Sequence, residues 1–176
     1  KPMVSNILKP TRWSVFSQLF QHFNLVSVII VASTILLDYA TKLFVHQLIP
    51  LHNSVNLIPG FLNITHVRNT GAAFGILNAV DFPFKTSIMI GIALLALVVL
   101  TVYAYNTKPQ GNFARIGFAL IVGGAIGNLI DRASTGYVTD FIDVFWGTYH
   151  FWAFNIADAT ITIGAVLLLL DTVESE

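Results

Sequence analysis

Cysteine is absent from this chain of 176 residues, which excludes disulfides, thiolate zinc sites and thiol nucleophiles. Charged residues are also scarce, because they make up 10% of the chain, whereas soluble domains carry roughly 25%. The formal net charge is zero, which argues against a nucleic-acid-binding surface. Glutamate is nearly missing, since Glu174 and Glu176 are the only two. Acidic chemistry in the body of the chain therefore depends on aspartate.

Hydrophobic residues, in contrast, form 55% of the chain, and the mean hydropathy is +0.74. This composition predicts a mainly α, polytopic membrane protein with a single membrane domain over residues 25–176. Residues 1–24 are expected to form a cytoplasmic N-terminal segment. The first span lacks an A-x-A cleavage site after it and is interpreted as a retained anchor. Four transmembrane spans are predicted, at about residues 25–45, 86–106, 115–131 and 154–171.

Basic residues lie before the first span and between the second and the third. They are Lys1, Lys9, Arg12, Lys108 and Arg115. Because cytoplasmic loops of membrane proteins carry an excess of Lys and Arg, both segments are expected on the cytoplasmic side. Four spans then place both termini inside, and residues 46–85 and 132–153 outside.

Polar residues interrupt three of the four spans at a similar depth. Asp38, Asn128 and Asp158 each lie ~20 Å from the inner boundary of their span, at 1.5 Å per helical residue. With a hydrocarbon core of about 30 Å, this level is roughly 10 Å beneath the outer surface. Such groups seldom persist in a membrane unless they face the bundle interior or serve a function. The coincidence predicts one polar chamber that opens outward.

Two N-x-x-D motifs place an amide and a carboxyl on one helix face. In "FNIAD" these are Asn155 and Asp158, and in "GNLIDR" they are Asn128 and Asp131, followed by Arg132. The alternative interpretation makes them helix caps and interhelical hydrogen bonds, since Asn often bonds across membrane helices. Their equal depth favours a functional site over that alternative.

Two further features are interpreted as structural. In "GGAIG", Gly123 and Gly127 form a small-xxx-small face on which another helix can pack closely. Asp38 and Lys42 stand at i and i+4 with the acid first, the favourable order for an ion pair on a helix. Both residues are expected to support the site without doing its chemistry.

The two outer connections contain extended segments. Pro59–Gly60 predicts a turn, and residues 61–68 predict one short strand. Residues 138–142 also favour an extended conformation, in which Asp140 and Asp143 would face opposite sides. A small sheet with a short amphipathic surface helix is therefore expected at the membrane surface. The aromatic residues that follow suit an interfacial belt, namely Trp146, Tyr149, Trp152 and Phe154.

The candidate chemistry is acid–base catalysis by carboxylates. Two aspartates in a poorly solvated site share one proton, so one can take a proton from water while the other polarises a carbonyl. The residues alone leave three partners for Asp158, namely Asp131, Asp140 and Asp143. The five histidines show no metal-ligand spacing such as H-E-x-x-H, so no zinc site is expected. A proton-coupled transporter and a purely structural membrane subunit are the alternatives.

Five motifs in order resemble the bacterial lipoprotein signal peptidase (signal peptidase II) family. They are "DYATK", "HVRNTGAAFG", "GGAIGNLIDR", "GYVTDFIDV" and "FNIADATITIG", and they span residues 38 to about 164. The resemblance implies four transmembrane helices with a small extracytoplasmic sheet that cradles substrate. It implies an aspartyl endopeptidase of the bacterial inner membrane, with its active site near the periplasmic face. The enzyme would remove signal peptides from diacylglyceryl-modified prolipoproteins, just before the lipidated Cys.

Matched motif by motif, the resemblance implies Asp140 and Asp158 as the catalytic pair. Positions that hold substrate or inhibitor in the family match Asn69, Gly71, Asn128, Arg132 and Asn155. Support positions match Asp38, Lys42 and Asp131. No metal or other cofactor is implied. The expected partners are a lipid-modified prolipoprotein, bilayer lipids and an inhibitor of the globomycin type, and the protein is expected to act as a monomer.

Overall fold

Long apolar helices and short strands alternate along the chain in the computed structural model, which describes residues 24–72, 75–106 and 111–174. The elements are α1 (Leu25–Leu48), β1 (Ser54–Ile58), β2 (Leu62–Asn69), α2 (Lys85–Asn106), α3 (Asn112–Thr135), β3 (Val138–Trp146), β4 (Tyr149–His150) and α4 (Ile156–Glu174). The predicted N-terminal segment, apart from Asn24, lies outside the described residues. So do four of the five basic residues on which the predicted orientation rests, namely Lys1, Lys9, Arg12 and Lys108.

All four described helices are long and apolar enough to cross a membrane. Each helix extends past at least one of its predicted ends by one to four residues, and α4 also begins at Ile156 rather than at residue 154. Local capping sets these ends. The Asn24 side chain accepts from the Ser27 N–H at 3.0 Å, and Gly136 ends α3 with a left-handed φ of 85°. The polar residues that shortened the predicted spans are therefore inside the helices.

The helix α3 lies at the centre of the bundle and packs against α1, α2 and α4. Glycines allow the close approach. A Cβ built on Gly117 would lie 2.7 Å from the Gly164 carbonyl oxygen of α4, and one on Gly123 would lie 2.9 Å from Thr34 of α1. A Cβ built on Gly127 would lie 2.8 Å from Oδ2 of Asp38. The predicted small-residue face at 123 and 127 is thus confirmed.

The four strands form one antiparallel sheet in the order β1-β2-β3-β4. The predicted strand at 61–68 is β2, and the turn at Pro59–Gly60 joins it to β1, which the sequence pattern did not predict. The register between β2 and β3 shifts between Ile64 and Val67, so β2 contains a bulge there. Because each one-residue shift exchanges the two faces of a strand, the bulge decides which side chains of β2 face the bundle.

Backbone hydrogen bonds attach the start of α4 to β3. The N–H of Ile142 donates to the Phe154 carbonyl oxygen at 2.8 Å, and the N–H of Phe154 donates to the Ile142 carbonyl oxygen at 3.1 Å. Phe154 therefore pairs with β3 and is only partly exposed, while Trp146, Tyr149 and Trp152 are exposed as an interfacial belt requires. This pairing lays the first turn of α4 beside Asp140.

The outer faces of the helices are apolar and exposed, as expected of surfaces that contact lipid. Leu36 and Val98 are examples, with 67% and 58% of their surface exposed. The segment expected to carry the short surface helix includes Ala73 and Phe74, which lie outside the described residues. Of the residues that follow, Gly75 has a 3₁₀-helical conformation and residues 76–79 form turns.

Candidate active site

Asp140 and Asp158 line the same cavity, which measures about 780 Å³. Its walls come from α2, α3 and α4, from the ends of β2 and β3, and from the residues that precede α4. The other polar side chains in the lining belong to Asn69, Asn128, Arg132 and Thr162, and the remaining walls are mainly apolar, as at Met89 and Leu97. Of the three partners that sequence reasoning left open for Asp158, Asp140 is the one in this cavity.

Asp140 is buried on β3 and is held by two side-chain amides. The Asn155 Nδ2 donates to its Oδ1 at 2.7 Å, and the Asn69 Nδ2 donates to its Oδ2 at 3.0 Å. Asn69 lies diagonally across from it on β2, because Asp140 pairs with Val67 in the register. Burial, and then the nearby charge of Asp158, raise the pKa of Asp140 to about 7, although both amides favour its charged form.

Asp158 lies in the first turn of α4 and forms a capping box with Asn155. The Asp158 N–H donates to the Asn155 Oδ1 at 2.9 Å, and the Asn155 N–H donates back to the Asp158 Oδ2 at 3.3 Å. Its other oxygen accepts from the Asn128 Nδ2 at 2.8 Å. The helix-cap interpretation of this N-x-x-D motif is therefore confirmed, and the same two residues also belong to the site.

Lys42 connects α1 to the site through Asn128. Its ammonium donates to the Asp38 Oδ2 at 2.6 Å, lies 2.9 Å from the Asp131 Oδ2, and donates to the Asn128 Oδ1 at 3.2 Å. Because the Asn128 oxygen accepts from Lys42, its nitrogen faces Asp158. The predicted Asp38–Lys42 pair is confirmed, and the expected meeting of Asp38, Asn128 and Asp158 is also observed.

Asp38 has a second contact with the start of α4. Its Oδ1 accepts the backbone N–H of Ala157 at 3.0 Å, so one carboxylate binds Lys42 and α4 together. Helix α1 is thus attached to the same helix turn that carries Asp158. This contact explains why Asp38 is 1% exposed yet remains fully hydrogen-bonded.

Asp131 and Asp143, the other two candidate partners, have different neighbours. Asp131 accepts from the Thr139 N–H at 3.2 Å and pairs with Lys42. Asp143 is on the opposite side of β3, where it accepts from the Asn63 Nδ2 at 3.0 Å and lies 2.9 Å from the His150 Nδ1. The prediction that Asp140 and Asp143 face opposite sides is confirmed.

Arg132 joins the cavity wall to the segment that follows β2. Its Nη2 donates to the Gly71 carbonyl oxygen at 2.9 Å, and its Nη1 donates to the Asn128 carbonyl oxygen at 3.4 Å. The buried Nε has no partner within the described residues. Gly71 in turn donates its N–H to the Asn69 Oδ1 at 2.9 Å, and a Cβ there would collide with the Ile76 carbonyl oxygen. Glycine is therefore required at position 71.

Two of the residues assigned to substrate lie behind the cavity wall. Asn155 is completely buried and makes its contacts with Asp140, Asp158 and Asn128, while Gly71 offers its carbonyl to Arg132. Sequence reasoning did not single out Lys85, a buried cation beside this segment. A lone lysine directly before the apolar run of α2 was the signal that could have identified it.

Within the described ranges, no group of three or more His, Asp or Glu side chains could hold a metal ion.

Known proteins are similar to this chain over nearly all of its described residues. The family described as "Signal peptidase (SPase) II" matches residues 29–174. The lipoprotein signal peptidase of Geobacter metallireducens is 38% identical over 148 residues, which cover 84% of this chain and 90% of that protein. The lipoprotein signal peptidase of Geobacter sulfurreducens is 40% identical over 147 residues, which cover 84% and 91%. A solved bacterial membrane enzyme superposes with a TM-score of 0.76 at 35% identity, covering 86% of this chain and 90% of that one.

Proposed function

Since this chain belongs to the signal peptidase II family, we propose that it is an aspartyl endopeptidase that removes signal peptides from diacylglyceryl-modified prolipoproteins. The cut is made just before the lipid-bearing cysteine of the substrate. One observation carries the proposal: Asp140 and Asp158 face the same cavity, whose other walls are mainly apolar and come from membrane-spanning helices. That arrangement suits a substrate whose signal helix is itself anchored in the bilayer.

In the proposed reaction the two carboxyl groups share one proton. Asp140, whose pKa is raised to about 7, carries it at the start and donates a hydrogen bond to the scissile carbonyl oxygen. Asp158 is the carboxylate that takes a proton from water, because the Asn128 amide and the first turn of α4 favour its negative charge. Water oxygen then bonds to the carbonyl carbon. As the tetrahedral intermediate collapses, the C–N bond breaks and the amine leaves with a proton from the pair.

The surrounding polar residues have two roles in this proposal. Asn69, Asn128 and Arg132 line the cavity and would hold the substrate backbone. Gly71 and Asn155 complete the substrate-binding set through the contacts that orient Arg132 and Asp140. A second set, Asp38, Lys42 and Asp131, supports the site by fixing Asn128 and the start of α4.

The cellular setting proposed is the bacterial cytoplasmic membrane, with both termini cytoplasmic and the sheet and site near the periplasmic face. The substrate would enter sideways from the bilayer and place its lipid chains between helices. The protein is proposed to act as a monomer, to need no metal or other cofactor, and to be inhibited by compounds of the globomycin type that occupy the same cavity.

The proposal is tested by incubating the purified protein in lipid vesicles with a synthetic precursor that carries a diacylglyceryl cysteine. Mass spectrometry should find one cut, at the bond before that cysteine, and no cut in the same peptide without the lipid. Activity should persist in EDTA, since the proposed chemistry uses no metal. No hydrolysis of the lipidated peptide, combined with proton-dependent solute uptake into the vesicles, would instead indicate a transporter.

A further inference from the structure

Lys85 is a buried cation that the proposed chemistry does not use. It is the first residue of α2 and is 8% exposed. Its ammonium donates to the Thr70 Oγ1 at 2.8 Å, the Val80 carbonyl oxygen at 2.7 Å and the Asn78 carbonyl oxygen at 3.3 Å. These three bonds use all of its donors. None of the ion pairs formed by the described residues includes Lys85. Burying a cation among neutral oxygens is costly, so the contact calls for a reason.

The three oxygens belong to the β2–α2 loop, residues 70–84, of which Ala73 and Phe74 lie outside the described residues. The loop folds back on itself, since the Thr70 N–H donates to the Asn78 Oδ1 at 2.9 Å. Two of its non-glycine residues have a left-handed φ, 64° at Leu77 and 62° at Phe84. Such backbone conformations are unfavourable for residues that carry a Cβ and persist only where other contacts hold them. Lys85 supplies such contacts, because its bonds join the two ends of the loop.

Thr70, the first partner of Lys85, lies between two residues of the site. On one side Asn69 donates to the Asp140 Oδ2 at 3.0 Å. On the other side the Gly71 carbonyl oxygen accepts from Arg132 at 2.9 Å. A shift of the backbone at position 70 would therefore move two groups together. One is the Asn69 side chain, which bonds to Asp140, and the other is the Gly71 carbonyl, which bonds to Arg132.

We propose that Lys85 is a positioning residue of the active site, which acts through Thr70 to hold Asn69 against Asp140 and Gly71 against Arg132. This inference rests on the proposed peptidase function. It differs from a purely structural role, in which Lys85 stabilises the loop without affecting the geometry of Asp140. A displacement of about 1 Å at a reacting group can lower a rate by up to ~100-fold, so a loosened loop should be visible in kcat.

The experiment replaces two threonine hydroxyls by methyl groups. The Thr70 hydroxyl accepts from Lys85 at 2.8 Å and also donates to the Asn78 Oδ1 at 3.1 Å. Thr70→Val removes the oxygen that receives Lys85. Thr86→Val is the matched control, because Thr86 is the next residue of α2 and bonds instead to the Gly136 carbonyl oxygen at 3.2 Å. Lys85→Met, Asn69→Ala and the double variant Lys85→Met/Asn69→Ala complete the set. Each is measured with a fluorogenic version of the lipidated precursor peptide, over a range of pH, after gel filtration has selected folded protein.

We expect kcat to fall ~10-fold in Lys85→Met and several-fold in Thr70→Val, with Thr86→Val within twofold of the wild type. The loss in the double variant should be smaller than the product of the two single losses, because both changes loosen the same bond to Asp140. Asn69 favours the charged form of that carboxyl, so Lys85→Met should move the alkaline limb of the pH profile to higher pH. The charged neighbours of Asp140, namely Asp158, Lys42 and Arg132, are unchanged in all variants.

Unchanged kcat and pH profile in Thr70→Val and in folded Lys85→Met would overturn the inference, as would losses that multiply in the double variant. If Lys85→Met does not fold, Thr70→Val decides the question alone. Failure of the peptidase proposal itself is recognised separately, because the wild-type protein would then not cleave the lipidated peptide at any pH.

Discussion

The Asn155 side chain donates to the Asp140 carboxylate at 2.7 Å, although the two residues are 15 positions apart in the chain. The same asparagine forms the capping box with Asp158, so one buried side chain fixes the relative position of both carboxyl groups. This relationship explains why a polar pair stands at the start of an otherwise apolar helix. The cap satisfies the first turn of α4, and the side-chain amide nitrogen of Asn155 donates to the second carboxyl.

The first prediction concerns the pH dependence of cleavage. Burial raises the pKa of Asp140 to about 7, and the proposed mechanism needs this carboxyl protonated. Activity should therefore fall as pH rises through about 7, when this proton is lost. The measurement is kcat against pH with the lipidated peptide. A rate that keeps rising from pH 6 to pH 9 would assign the proton to another group.

The second prediction concerns stability and its sign. A carboxyl with a raised pKa in the folded state favours folding when protonated, and this contribution is lost as pH rises from about 4 to about 7. The shift from 3.8 to about 7 corresponds to up to about 4 kcal/mol. Asp140→Asn has no carboxyl to titrate at this position. Relative to this variant, the wild type should lose stability between pH 4 and pH 7, measured by thermal unfolding in detergent. Parallel curves for the two proteins would show that Asp140 does not titrate in this range.

The third prediction concerns the contact between α3 and α4. In Gly164→Ala the new methyl group would lie 2.6 Å from the Gly117 carbonyl oxygen, so the helices must move apart. We expect a loss of about 1–3 kcal/mol of unfolding free energy. Gly91→Ala is the control, since a Cβ there meets nothing within 4 Å, and it should stay within about 0.5 kcal/mol of the wild type. Equal effects of the two substitutions would contradict the packing described.

The fourth prediction concerns Lys42, whose side chain is 4% exposed. Lys42→Met leaves Asp38 and Asp131 without their counter-charge and should cost about 3–5 kcal/mol. Adding Asp131→Asn should recover part of this loss, because it removes one of the two uncompensated charges. The test is a double-variant cycle in thermal unfolding. Strictly additive effects would show that the two residues do not interact.

The sequence was sufficient to predict the helices and the level at which they meet. Apolar runs of membrane length set α1 to α4, and helical rise alone placed Asp38, Asn128 and Asp158 at one depth, where contacts now join them. It also predicted that Asp140 and Asp143 face opposite sides of β3, because alternation is a property of any regular strand.

The selection of Asp140 over Asp131 and Asp143 could not be made from local pattern. The position of Asp131 depends on how α3 packs in the bundle, and the β2 partners of Asp140 and Asp143 depend on the bulge between Ile64 and Val67. In a regular strand Asn63 and Asn69 would share a face, since they are an even number of positions apart. The bulge turns them to opposite faces, so Asn63 bonds to Asp143 while Asn69 bonds to Asp140. Bulges and long-range strand pairing are tertiary features, and periodicity within one segment does not reveal them.

The most direct test of the account compares three aspartates in one cleavage assay on the lipidated peptide. Asp140→Asn and Asp158→Asn should fold, insert into vesicles and lose cleavage entirely. Asp143→Asn is the matched control, because it removes a buried carboxylate from the same strand as Asp140 but on the opposite face. It should retain most of the wild-type rate. Cleavage that survives in Asp140→Asn or Asp158→Asn would contradict the proposed two-carboxylate mechanism.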